Sequence, residues 1–525
     1  MRYHSFKSQH KKDLRHFKFI KMFSYLKAHI KFPFQKRKQS IEIFEEMYKH
    51  EHSFHDDNGL KNDQYYIPEA IVVLDIVSKE KLQEVKKGLK LLFKKYYSHK
   101  FLTGFQTDKD IDNLIEGLDL TISEGKSWHR IMRFDMENVS NLKKDISYFD
   151  IVIRNFSTSY LEIEFYIYFT EEKKRKLDQF TRTNYNAQIK SVSSAYSRNK
   201  KKSGAKINYG VGTYNDNQEK SELLYDEIEV CKYKFLKLMY KYFPLQLYGH
   251  GQMPIGIIVN KTNIHYTQKH MDFWSSVGIM FGIGVFANES LKLFPQYELY
   301  RRSHNIQTNY MLVYNDETLD NEYITTIYHG NKSHYIMEWL FENLKDIYKT
   351  IIIDDISGYY NKKCAYYRNL INKIKARKRN YARLLKLRYH FHLAFIMMTQ
   401  INKELDLKKL EEQTEKYFQD KFMIKYDKYM SHKQVSTYPI RRFVGYMNSK
   451  NILEERLNEK IILSEELKTY AEGKKNWGIN LITFFIGVGT FLFLIFPAWA
   501  SSTANLLLMV WRSLCDCFEC LFESL

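Results

Sequence analysis

Two runs of alternating character, DISYFDIVIRNF over residues 145–156 and YLEIEFYIYFT over 160–170, flank Ser157-Thr158-Ser159. Apolar residues recurring every second position suit a strand and not an amphipathic helix, where they recur every three or four. Two such runs joined by three small hydroxyl residues predict an antiparallel hairpin. Upstream, the continuous apolar run EAIVVLDIV reads as a buried strand. It leads into SKEKLQEVKKGLKLLFKKYYS, where Ser78 can cap a helix that turns Leu82, Val85, Leu89 and Leu92 inward. After the hairpin, EEKKRKLDQF reads as another helix. Strand followed by helix, twice over, predicts an α+β domain spanning residues 60–190.

Residues 1–59 read as a basic N-terminal arm, with His50, His52 and His55 in a polar, loop-like stretch. The Ser/Asn/Gly-containing stretch over 191–218 reads as a flexible connection. A second α/β-type region is expected over 219–357. Its helices fall near 219–242 and 334–348, and its strands at IGIIV, VGIMFGIGVFA, NYMLVY, YITTIYH and TIIIDDI. From there a helical stalk over 358–475 is predicted, interrupted around Pro439.

Charge is the second constraint. The 525-residue chain carries a formal +20, but it is rich in Lys, Asn, Ile, Tyr and Phe with only 7 Pro and 21 Gly. A+T-rich codons produce that composition without selection for an anionic partner, so placement matters more than total. From Lys362 to Arg388 there are eleven Lys or Arg and no Asp or Glu. Drift toward Lys does not remove acids. Tyr367, Ile371, Ile374, Tyr381 and Leu385 form a narrow apolar stripe, which predicts one long amphipathic helix with a basic face. Lys373, Lys375, Arg377, Lys378, Arg379 and Arg383 are the candidate contacts for nucleic-acid phosphates, anionic lipid headgroups or an acidic protein surface.

From Trp477 to Trp499 no residue is charged. At 1.5 Å per residue such a run approaches the roughly 30 Å of a hydrocarbon core, so a single transmembrane helix over 477–499 is predicted. Lys474 and Lys475 before it, and the lack of a signal sequence in the opening residues, place the N-terminal part in the cytoplasm on this reading. The last residues, 500–525, read as an interfacial tail. Thr483, Gly487 and Thr490 share one helix face, suited to close packing in a homo-oligomer. The expected fold class is thus an α+β cytosolic region, a long helical stalk and one C-terminal transmembrane helix, with the lipid bilayer as a partner. Five cysteines are too few for a disulfide framework and suit a reducing compartment.

Catalytic signals are weak. Gly125-Lys126-Ser127 resembles the end of a phosphate-cradling loop, but the glycine required five residues earlier is Leu120. Asp354 and Asp355 after an apolar run could hold magnesium, and His250, His265 and His270 could bind zinc, yet neither set has a diagnostic partner. No metal or cofactor is expected. The chain reads as a membrane-anchored binding or sensor protein that engages an anionic partner. The alternatives are a membrane-perturbing or channel-like oligomer and a cryptic hydrolase or nuclease.

Overall fold

Nine strands form one mixed sheet in the computed structural model, which describes residues 60, 63–96, 112–113, 115–118, 128–136, 142–183, 188–198, 205–214, 216–264, 271–277, 285–287, 297–301, 309–317, 319, 322–327, 329–421, 423–424 and 432–495. In chain order the elements are β1 (Tyr66–Ser78), α1 (Leu82–Tyr96), β2 (Trp128–Asp135), β3 (Ile146–Asn155), β4 (Tyr160–Phe169), α2 (Glu171–Arg182), β5 (Gln188–Arg198), β6 (Ala205–Tyr214), α3 (Asp216–Met239) and α4 (Gln246–Gly249). Then follow β7 (Gly256–Thr262), α5 (Met271–Ser276), β8 (Val285–Ala287), β9 (Tyr297–Arg301), β10 (Tyr310–Asn315), α6 (Glu322–Ile327), α7 (Lys332–Asn343), α8 (Lys345–Lys373), α9 (Tyr381–Glu404), α10 (Leu407–Lys421), β11 (Met423–Ile424) and α11 (His432–Ile495). The chain divides into two units, one of residues 1–362 and 396–447, the other of 363–395 and 448–525.

The first unit holds the sheet, ordered β11-β8-β9-β10-β7-β1-β4-β3-β2, with β7 and β10 the one parallel pair. The hairpin read from the alternating runs is β3–β4, in a register that sets Asp150 opposite Tyr166 and Arg154 opposite Glu162. Thr170 ends it and caps α2, its hydroxyl accepting from the Lys173 amide at 3.1 Å. On one face Ile151, Ile153, Ile163, Phe165 and Ile167 join Val85, Leu89 and Leu92 of α1 and Ile228, Phe235 and Leu236 of α3 in a single core. The helix after β1 thus buries Val85, Leu89 and Leu92 as its periodicity indicates.

Alternation normally leaves the second face of a hairpin in water. Here α7 and the first turns of α8 lie over it, and its charges are buried in pairs. Arg154, 4% exposed, donates through Nε to Oε1 of the fully buried Glu164 and through Nη2 to the Phe341 carbonyl at 2.9 Å. Glu164 also accepts from the Tyr166 hydroxyl at 2.7 Å. Arg130 donates to Asp150 at 3.0 Å and to Glu338 of α7. Desolvating such ions is costly, so each persists only because its partner is present.

Several elements differ from the sequence reading. TIIIDDI is helical, inside α8, with Ile351, Ile352, Ile353 and Ile356 all buried. A short apolar run fits a buried strand and an enclosed helix equally, and the following helical sequence extends back through it. YITTIYH likewise falls largely within α6. The connection over 191–218 contains most of an antiparallel ladder between β5 and β6. Pro439 lies inside α11 without ending it. The helical region 358–475 is not one stalk but is shared between the two units. The N-terminal arm, Gly125-Lys126-Ser127 and the tail over 500–525 lie outside the described residues.

The membrane reading is corrected. Among the described residues, no helix is long and apolar enough to cross a membrane. The described part of the uncharged run, Trp477 to Ile495, lies in α11, whose preceding turns carry Lys468, Glu472, Lys474 and Lys475, and Asn480, Thr483 and Thr490 interrupt its apolar residues. The transmembrane helix, the single-pass localisation and the cytoplasmic orientation inferred from its flanks fall together. Thr483 and Thr490 turn their hydroxyls to the carbonyls of Ile479 and Ile486, at 2.9 and 2.8 Å, and a Cβ added at Gly487 would meet nothing within 4 Å. Among the described residues, nothing packs against Gly487 on that face.

Candidate anion-binding corner

The second unit is built from the last turns of α8, the first turns of α9 and the middle of α11. Cys364, Tyr367, Ile371 and Ile374 of α8, Leu384, Leu387, Phe391 and Phe395 of α9, and Leu453, Leu457 and Ile461 of α11 are buried, each set at spacings of three and four. Tyr367 meets Phe391 edge to face at 5.2 Å, and its hydroxyl donates to the His390 carbonyl at 2.9 Å.

The basic segment is not one helix. α8 stops at Lys373, Arg377 is extended (φ −151, ψ 151), a 3-10 turn covers Lys378–Asn380, and α9 starts at Tyr381. A continuous helix would stack Lys375, Arg379 and Arg383 at intervals of four, where like charges repel. The chain closes the corner with specific bonds. Asn380 donates its side-chain amide to the Lys375 carbonyl at 2.8 Å and its backbone amide to the Arg377 carbonyl at 2.9 Å. Lys460 of α11 donates to the carbonyls of Ile371 and Ile374 at 2.6 and 2.9 Å, satisfying the open end of α8. Tyr381, the first residue of α9, donates to Glu465 at 3.1 Å and lies under Lys468. Breaking the helix also shifts the apolar phase. The buried stripe continues through Leu384 and Leu387, while Tyr381 and Leu385 are only half-buried.

All six candidate cations, Lys373, Lys375, Arg377, Lys378, Arg379 and Arg383, are exposed at this corner, and none has an ion-pair partner among the described residues. By contrast, Lys173 binds Asp145 and Glu227, Lys232 binds Glu229, and Arg442 binds Asp354. The first turn of α9 contains no acid. A helix N-terminus carries partial positive charge and ordinarily attracts Asp or Glu, so cations gathered there raise the chain's own electrostatic energy and an arriving anion lowers it. Lys460, Tyr381 and Glu465, which shape the corner, are not apparent from sequence, because each acts through a contact across helices.

The remaining candidates do not form a site. Asp354 is paired with Arg442 at 3.1 Å. Asp355, next to it on α8, accepts from the Gln252 side chain at 2.7 Å and the Ile255 amide at 2.8 Å, and burial pushes its carboxyl up to about 7. His250 is exposed beside α4 and stacks on Tyr359 at 5.3 Å. His265 and His270 lie outside the described residues. Among the described residues, no group of three or more His, Cys, Asp or Glu could hold a metal ion.

No protein-family model, curated protein or solved structure matches this chain. A functional reading therefore rests on the chemistry of the corner.

Proposed function

We propose that the chain binds nucleic acid through its phosphates, with the α8–α9 corner as the contact surface. The observation that carries this reading is the group of six exposed cations, without an ion-pair partner among the described residues, around a helix N-terminus that has no acid in its first turn. Phosphate contacts made by Lys and Arg provide affinity without sequence selectivity, and nothing at the corner suggests base-edge readout. The corner is held by Lys460, Asn380 and Tyr381, so the cations project from a fixed backbone and binding loses less freedom than on a flexible tail.

The test is titration of the full chain against a fluorescent oligonucleotide at low salt, beside a triple variant with Arg377→Glu, Lys378→Glu and Arg379→Glu. Loss of binding with an unchanged melting temperature supports the proposal, since exposed charge changes alter stability little. A lowered melting temperature together with no binding by either protein contradicts it and assigns the charges a structural role.

A further inference from the structure

We infer that the strand bound at this corner is single, with Tyr389 as a stacking platform for one of its bases; this rests on the phosphate-binding reading above. The solvent side of α9 continues the basic corner in a regular stripe. Arg379 stands just before the helix, Arg383, Lys386 and Tyr389 follow at steps of three or four, and His390 and Leu393 lie alongside and one turn beyond, all exposed. Leu384, Leu387, Phe391 and Phe395 are buried on the opposite side.

Tyr389 is 61% exposed. Among the described residues its ring neighbour is the adjacent His390, in a T-shaped contact at 5.6 Å. The helix beneath is fixed by the bond from Tyr367 to the His390 carbonyl. Phosphate-binding and base-binding groups thus share one rigid face.

An unpaired base has a free face that can lie on Tyr389 while neighbouring phosphates of the same strand meet Arg383 and Lys386. A duplex keeps its base faces covered and can use only the cations.

The experiment measures anisotropy of the full chain with labelled oligothymidylate of about 20 nucleotides, above the usual site size, and with a duplex of equal length, both at low salt. The variants are Tyr389→Ala, Tyr389→Phe and, as an exposed control on α11, Tyr470→Ala. The single strand is expected to bind more tightly. Tyr389→Ala should weaken it roughly 5- to 100-fold, the range for loss of one stacked base, and leave duplex binding unchanged. Tyr389→Phe and Tyr470→Ala should bind as the parent chain does. Equal binding of both forms, with Tyr389→Ala indistinguishable from the parent, overturns the single-strand assignment and leaves phosphate binding standing. No binding of either form removes both.

Discussion

Replacing Lys460 with Met should loosen the corner without touching any of its cations. Lys460 is half-buried and donates to two carbonyls at the end of α8, at 2.6 and 2.9 Å. Hydrogen bonds from a charged donor contribute about 1.5–3 kcal/mol each when sheltered. Partial exposure reduces that, and about 2 kcal/mol for the pair is a reasonable magnitude. A loss of that size makes local opening of the last turn roughly 30-fold more frequent. The assay is amide hydrogen exchange of the full chain, followed across the end of α8 and the start of α9. Lys474→Met serves as the control, removing the same charge from an exposed position on α11. Faster exchange in Lys460→Met alone is expected, together with weaker oligonucleotide binding than in the control. Unchanged exchange would refute the claim that α11 holds the corner.

The paired charges under α7 lead to a second expectation. Arg154→Met leaves Glu164 buried without its partner and should cost roughly 3–5 kcal/mol in chemical denaturation, most of it recovered when Glu164→Leu is added. A third concerns pH. Burial raises the carboxyls of Asp75 and Asp355 to about 7, against backbone hydrogen bonds that lower them. Between about pH 4 and 7 the folded chain keeps protons on these groups that the unfolded chain has lost, so their contribution to stability falls as pH rises through that window. Asp355→Asn holds no such proton, and its disadvantage relative to the parent should therefore shrink from pH 5 to pH 8. A disadvantage constant across that range, read from denaturation midpoints, would contradict the assignment.

The alternating runs specify β3 and β4 because a period of two has one structural solution, and Thr170 ends the hairpin by capping α2. What alternation could not reveal is that Glu162, Glu164 and Tyr166 are enclosed, since the helices covering them arrive from about 180 residues further along the chain. TIIIDDI shows the limit of a short apolar run, whose enclosure on every side reads the same in a strand and in α8. The acid-free basic segment is plain in sequence, but its corner is not. No Pro or Gly marks the break between Lys373 and Tyr381, and the bonds that close it come from Asn380 and from Lys460, almost ninety residues from α8. The uncharged run after Trp477 reads as a span from its lack of charge and its length in sequence, whereas no helix among the described residues is long and apolar enough to cross a membrane.

The central claim is that the α8–α9 corner binds phosphates, and its most direct test is the salt dependence of oligonucleotide binding by the full chain. Each phosphate neutralised on a single strand contributes about −0.7 to the slope of log K against log salt, so six cations acting together predict a slope near −4, or a few-hundred-fold weakening between about 50 and 200 mM salt. Reversing Arg377, Lys378 and Arg379 to Glu should at least halve that slope. An affinity independent of salt, or a slope that the reversal leaves unchanged, would contradict the account.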